Sequence, residues 1–202
     1  TSDGSAASWQ PVRWKAPART SGTYYGNPQL TGEGYYGYSN LWQASCTPFW
    51  APVGGVAALN IIATGTTARQ LRMCLYSTNL NTGLPDGEPL ICETGVFTIP
   101  ATGSLDFLAP GTIPPNGPFT DFVPVWAVLA HLSSDPITAN VMSGYGNNFM
   151  PAGLWNGSSI SSRSRWHSRW FTFNSNWLTA SPAFCPATLG DAGCADIRVK
   201  TT

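Results

Sequence analysis

An all-β fold is predicted by three features of the sequence. Short runs alternate apolar and polar residues, Gly/Pro/Asn-rich breaks separate them, and no segment sustains a capped i, i+3, i+4, i+7 apolar pattern free of Gly or Pro. Short strands joined by such turns favour a sandwich or a barrel. With 202 residues, one large β-domain is the simplest division, and that length buries a substantial core without staples. Nine Trp, seven Tyr and nine Phe supply ample apolar area and argue against disorder.

Residues 1–20 begin with small polar residues and hold two prolines and two tryptophans, Trp9 and Trp14, which reads as an extended N-terminal arm. Those rings suit packing either on a neighbour or on the domain itself. Residues 21–202 form the β-domain, opening with a Gly/Tyr-rich stretch whose glycines permit tight turns. QASCTPFWAP is a strand with a proline at its heart, so an edge position is expected. VAALNIIAT follows Gly54-Gly55, with Ala58, Asn60 and Ile62 on one face and Ala57, Leu59 and Ile61 on the other. RQLRMCLYST alternates cleanly: Leu71, Met73 and Leu75 one way, Arg72, Cys74 and Tyr76 the other. NLNTGLPDGE is a turn-rich loop, and PLICETGVFTI and SLDFLAP resume the extended pattern. VPVWAVLAHL is too apolar for a surface strand and is placed centrally, Trp126, Val128 and Ala130 facing one layer and Val125, Ala127 and Leu129 the other. RSRWHSRWFTF and ADIRVK close the set.

Charged residues are only 10 % of the chain, against about 25 % in an average soluble domain, and the ten basic and ten acidic side chains cancel. No basic stripe exists, so nucleic acid is a poor partner. The longest apolar run, Phe122 to Ala130, contains Pro124 and is half the length of a spanning helix, so no membrane insertion is expected. The first residue is Thr rather than Met, which suggests a processed product or part of a longer chain.

Five cysteines stand at 46, 74, 92, 185 and 194, an odd number without any Cys-x-x-Cys pair, and with only two histidines present a zinc site is not expected. Cys185 and Cys194 bracket a short Pro/Gly loop and could close it as a disulfide; Cys74 and Cys92 lie on strands read as neighbours. Unbonded cysteines acting as small core residues are the alternative. No cofactor is implied.

Three stretches in the middle of the chain share a pattern with a known family. ASCTPFWAPVGGVAALNIIATGTTARQLRMCLYS, then NTGLPDGEPLICETGVFTIPATG, then GTIPPNGPFTDFVPVWAVLAH follow in the order and spacing of bacteriophage tail-fibre and head-fibre β-sandwich domains. Together they cover roughly residues 40–132, and RWFTFNSNWLTASPAF with ADIRV resembles the closing strands more loosely. Asp86 between Pro85 and Gly87, and an insertion at GPFTDFVP, depart from the pattern. The resemblance implies a jelly-roll-like antiparallel sandwich, assembled as a homotrimer on the virion surface, without catalytic machinery.

The residues themselves favour binding over catalysis. The few acids lie mostly beside Gly or Pro in expected turns, no Gly-x-Ser-x-Gly elbow is present, and nothing brings His131 or His167 to a nucleophile. Aromatic residues mix with polar ones instead: Tyr35 and Tyr36 among glycines, and Trp155, Trp166 and Trp170 near Asn148, Asn156 and Arg165. Such rings cover the apolar face of a sugar while Asn and Arg bond its hydroxyls, and they serve protein interfaces or cores equally well. The expectation is therefore a non-enzymatic fibre domain that binds a host-surface glycan or protein and contacts other virion proteins. A capsid decoration or collar protein is the second reading, and a carbohydrate-binding module of a secreted enzyme the third.

Overall fold

Fourteen strands and no helix occur among the residues that the computed structural model describes, which are 19–26, 34–36, 43–63, 65–85, 89–133, 141–144, 169–172, 190–191, 194–195 and 197–202. In chain order they are β1 (Tyr24–Tyr25), β2 (Gly34–Tyr36), β3 (Gln43–Pro52), β4 (Gly54–Ala63), β5 (Thr67–Ser77), β6 (Leu90–Glu93) and β7 (Phe97–Ile99). Then come β8 (Gly103–Ile113), β9 (Phe122–His131), β10 (Val141–Gly144), β11 (Arg169–Thr172), β12 (Gly190–Asp191), β13 (Cys194–Ala195) and β14 (Arg198–Thr201). They form two antiparallel seven-stranded sheets. Sheet A holds β1, β14, β4, β10 and β13, with β8 on β4 and β2 on β10; sheet B runs β12-β11-β3-β9-β5-β6, with β7 on β5. The expected all-β antiparallel sandwich is the fold observed.

One apolar layer fills the space between the sheets. Leu59, Ile61 and Ala63 of β4 and Val199 of β14 meet Phe49 of β3, Leu71, Met73 and Leu75 of β5, and Val125, Ala127 and Leu129 of β9. The alternations expected for β5 and β9 are those found. In β4 the parity breaks at a bulge opposite β8: Val56 pairs with Gly111 but Ala58 with Leu108. The bulge turns Val56, not Ala57, into the core. Pro110 sits on the long side of it, where a residue without an N–H costs the ladder little.

Sheet B is buried on its other face too. Ala44, Cys46, Cys74, Tyr76, Trp126, Val128, Ala130 and Leu132 form a second cluster there, joined by Trp50, Leu84 and Leu90. The turn after β5 supplies part of this cover. Asn79 accepts from Gly83, its side chain caps the N–H of Asn81, and Gly83 takes a φ of 73°, a region open to glycine. That turn brings the Gly83 carbonyl within 3.2 Å of Trp126 Nε1, so the indole N–H is satisfied although the ring is fully buried.

Two expectations are corrected. β3 is not an edge strand: it lies between β9 and β11, which pairs with it at Gln43–Cys46. Pro48 and Pro124 are tolerated because β11 accompanies β3 only up to Cys46 among the described residues, and β5 reaches β9 only from Val125. Nor does a Cys74–Cys92 disulfide form; Cys46, Cys74 and Cys92 are all reduced and buried. β5 and β6 are neighbours as expected, but Cys74 stands opposite Glu93 and Cys92 opposite Leu75. The two thiols therefore point to opposite faces, Cys92 into the inter-sheet core and Cys74 into the outer cluster.

Of the expected arm, Arg19 and Thr20 are fastened to sheet A, and 1–18 lie outside the described residues. Arg19 donates to the Gly55 carbonyl and to Thr202 Oγ1, and Thr201 Oγ1 donates to the Thr20 carbonyl at 2.7 Å.

Candidate binding end of the sandwich

Two short crossovers define the ends of the molecule. Val53 alone joins β3 to β4, so Pro52 and Gly54 share one end. Residues 64–66 join β4 to β5, so Ala63 and Thr67 share the other. The ends are about 30 Å apart along β4 at the rise of an extended strand. Arg19 and Thr202 meet Gly55 at the first end.

The aromatic candidates that can be placed lie at the second end. β2 pairs with β10 through Tyr36–Val141 and Tyr35–Met142, and Val141 in turn pairs with Ala63, the last residue of β4. β11 sets Trp170 opposite Ser45, near the start of β3, and opposite Gly190 of β12. Arg169 stands between Cys46 and Asp191 in the same ladder. Tyr35 and Tyr36 therefore belong to sheet A and Trp170 to sheet B, at the same end. Trp155, Arg165, Trp166 and Cys185 lie outside the described residues, while Cys194 is placed on β13 opposite Gly144.

A polar cluster that sequence reading missed occupies the open face of sheet A. Asp106 of β8 accepts from Lys200 Nζ at 2.6 Å, from Asn60 Nδ2 at 2.8 Å and from the Tyr24 hydroxyl at 2.9 Å. Asn60 is almost wholly buried, and its amide also donates to Ser104 Oγ and to the Leu105 carbonyl. Partial burial raises the Asp106 carboxyl pKa, but the bonds from Lys200, Asn60 and Tyr24 outweigh it and the net shift is downward. The signal was present as alternation, since Ser104, Asp106 and Leu108 all fall on the outward positions of β8. What lay beyond local pattern was that β14 and β1 arrive beside them.

Ionisable groups are also buried at the far end. His131 and Arg69 are both nearly inaccessible, and burial, with Arg69 adding repulsion, pushes the imidazole down to about 3. Arg72, also buried, forms an ion pair with Glu93 at 3.0 Å. Among the described residues no group of three or more His, Cys, Asp or Glu side chains could hold a metal ion, and no helix is long and apolar enough to cross a membrane.

No family model, curated protein or solved structure matches the chain.

Proposed function

We propose that the chain is a non-enzymatic surface domain of a bacteriophage particle, a fibre module that binds a host-surface glycan and assembles as a homotrimer. The observation that carries this reading is where the resemblance falls in the fold. Its three pieces are β3 to β5, the turn through β7, and the end of β8 with β9, and these consecutive strands enclose the inter-sheet core. The jelly-roll-like wiring and the trimer belong to the same proposal. Low charge supports it, because a subunit that buries area against its own copies gains from having few charges to desolvate.

Sedimentation of the full chain tests the assembly, with three copies per particle as the expected result and a monomer at micromolar concentration overturning the trimer. Incubation with bacterial surface polysaccharides tests the absence of catalysis; release of new reducing ends would overturn it and favour the secreted-enzyme reading. Immunogold labelling of particles separates a fibre position from the capsid shell, where lattice labelling would favour the decoration reading.

A further inference from the structure

Among the described residues, one strand edge of the sandwich is both long and unprotected. β8 has eleven residues and pairs only with β4, so its other edge meets no strand. The remaining margins end in short strands: β1, β12 and β13 have two residues each, β2 and β7 three, and β6 four. Folded proteins keep such edges short or break them with prolines, bulges and lysines, because a bare row of N–H and C=O groups templates another strand. β8 has two of these devices, the bulge and Pro110, and both fall in its second half. From Gly103 to Leu108 the register with β4 runs unbroken, without proline or lysine. The single charge in that run, Asp106, is drawn away from the edge, across β4 to Lys200.

Apolar side chains flank that run on both faces. Phe107 stacks on Phe97 of β7 with ring centroids 3.8 Å apart, which ties the margins of the two sheets together. The chain neighbours of these rings, Leu108 and Val96, are 77 % and 41 % exposed, the two most exposed large hydrophobic residues among those described. Alternate side chains of a strand point to opposite faces, so a strand laid on β8 would set one face beside Leu108 and the other beside the Phe97–Phe107 stack. β6, β7 and β8 carry no basic residue, and their two acids, Glu93 and Asp106, are engaged within the chain by Arg72 and Lys200. The margin therefore offers backbone and apolar surface, with no charge left to draw an oppositely charged partner.

We infer that the Gly103–Leu108 edge of β8 accepts a strand from a second copy of this chain, a statement that rests on the homotrimer reading above. With charged residues only 10 % of its length, the chain itself is the low-charge partner that this margin fits. A closed ring of three is built from head-to-tail contacts, so the added strand is a different segment of the neighbour and not its β8. Backbone hydrogen bonds supply the attachment, and Leu108 and Val96 supply the apolar cover.

The test is sedimentation of the full chain, with amide hydrogen exchange read at residues 103–108. The variants are Val96→Lys combined with Leu108→Lys, both at exposed positions, and Asn81→Lys in the turn after β5 as a control. The expected result is a wild-type trimer whose association is weakened at least tenfold by the lysine pair and unchanged by Asn81→Lys. Alternate amides of 103–108, those aimed away from β4, should exchange slowly in the assembled wild type and fast in the double variant. Circular dichroism reports whether the double variant folds; if it does not, exchange in the wild type decides. A trimer that the double variant leaves intact, or one whose outward amides exchange fast, would overturn the edge and leave the trimer standing. A wild-type dimer lost in the double variant would keep the edge, paired β8 to β8 about a two-fold axis, and overturn the ring of three. A wild-type monomer at micromolar concentration would overturn the trimer reading itself, and the edge with it.

Discussion

Lys200 and Asp106 meet at 2.6 Å although their strands never pair: β14 and β8 lie on opposite sides of β4, and the two side chains reach across it. The Tyr24 hydroxyl joins the same carboxylate from β1, so one side chain at the margin of sheet A links three other strands. The Asp106 carboxyl titrates below its ordinary value in the fold. Its contribution is therefore present above the ordinary carboxylate range and is lost as the pH falls through the folded value. Asp106→Asn should lower the melting temperature at pH 7 by a few degrees and flatten its decline below about pH 4. Thermal melts across pH check this, and because the pair is partly exposed, added salt should narrow the difference.

His131 gives a second and separate pH dependence. Its imidazole is neutral in the fold, pushed down to about 3 by burial and then by Arg69, whereas the unfolded chain protonates near 6.5. The unfolded state thus binds the extra proton between these values. Stability is complete above about 6.5 and falls towards 3, with a slope of at most about 1.4 kcal/mol per pH unit from this group. Urea unfolding at pH 7, 5.5 and 4.5 should show the fall, and His131→Gln should remove that portion of it.

Trp126 is the largest side chain of the outer cluster on sheet B, and its indole N–H is bonded to the Gly83 carbonyl. Trp126→Phe should cost about 1–3 kcal/mol through lost area and the abandoned carbonyl. Trp126→Ala should cost about 3–5 kcal/mol through the cavity. Denaturant midpoints distinguish the two, and a Trp126→Phe chain as stable as the parent would show that the carbonyl bond contributes nothing.

Gly111 of β8 lies close against β6 of the other sheet. A Cβ there would lie 2.6 Å from Cys92 Cβ and 2.7 Å from the Ile91 carbonyl oxygen, so β6 or β8 must shift. Gly111→Ala should destabilise by about 1–3 kcal/mol. Gly95→Ala meets nothing within 4 Å and should be close to neutral. A calorimetric comparison of the pair checks the packing of β6 against β8.

Cys46, Cys74 and Cys92 should resist thiol reagents in the native chain, since all three are buried and burial pushes the Cys92 thiol up to about 12. Alkylation in urea without reductant, followed by mass spectrometry, should label all three. A Cys74–Cys92 cross-link would contradict the β5/β6 register.

The parts of this architecture that were legible beforehand are those with a strong local period. The dense apolar run of β9 announced an interior strand, and Leu71, Met73 and Leu75 announced one face of β5. The interior position of β3 was hidden by Pro48, because a proline reports only what one edge of a strand lacks and not how far a neighbour extends. The bulge that exchanges Val56 for Ala57 depends on an extra residue in the partner strand, which no pattern within β4 encodes. The Asp106 cluster depends on strands from both ends of the sequence, and the common placement of Tyr35, Tyr36 and Trp170 emerges only from successive registers. The disulfide expectation failed on direction: neighbouring strands were identified, but adjacent strands offer a bond only to side chains on one face.

The seat of β14 on β4 also governs when the protein can form. Among the described residues, sheet A has β8 on one flank of β4 from residues 103–113 onward, most of the other flank is covered by residues 198–201, and β1 pairs with that last strand. A nascent chain emerging from the ribosome therefore holds an open strand flank through the synthesis of nearly all that follows β8. Its sandwich closes late, after translation has delivered residues 198–201, and in that interval the uncovered flank of β4 is the surface on which two growing chains would join incorrectly.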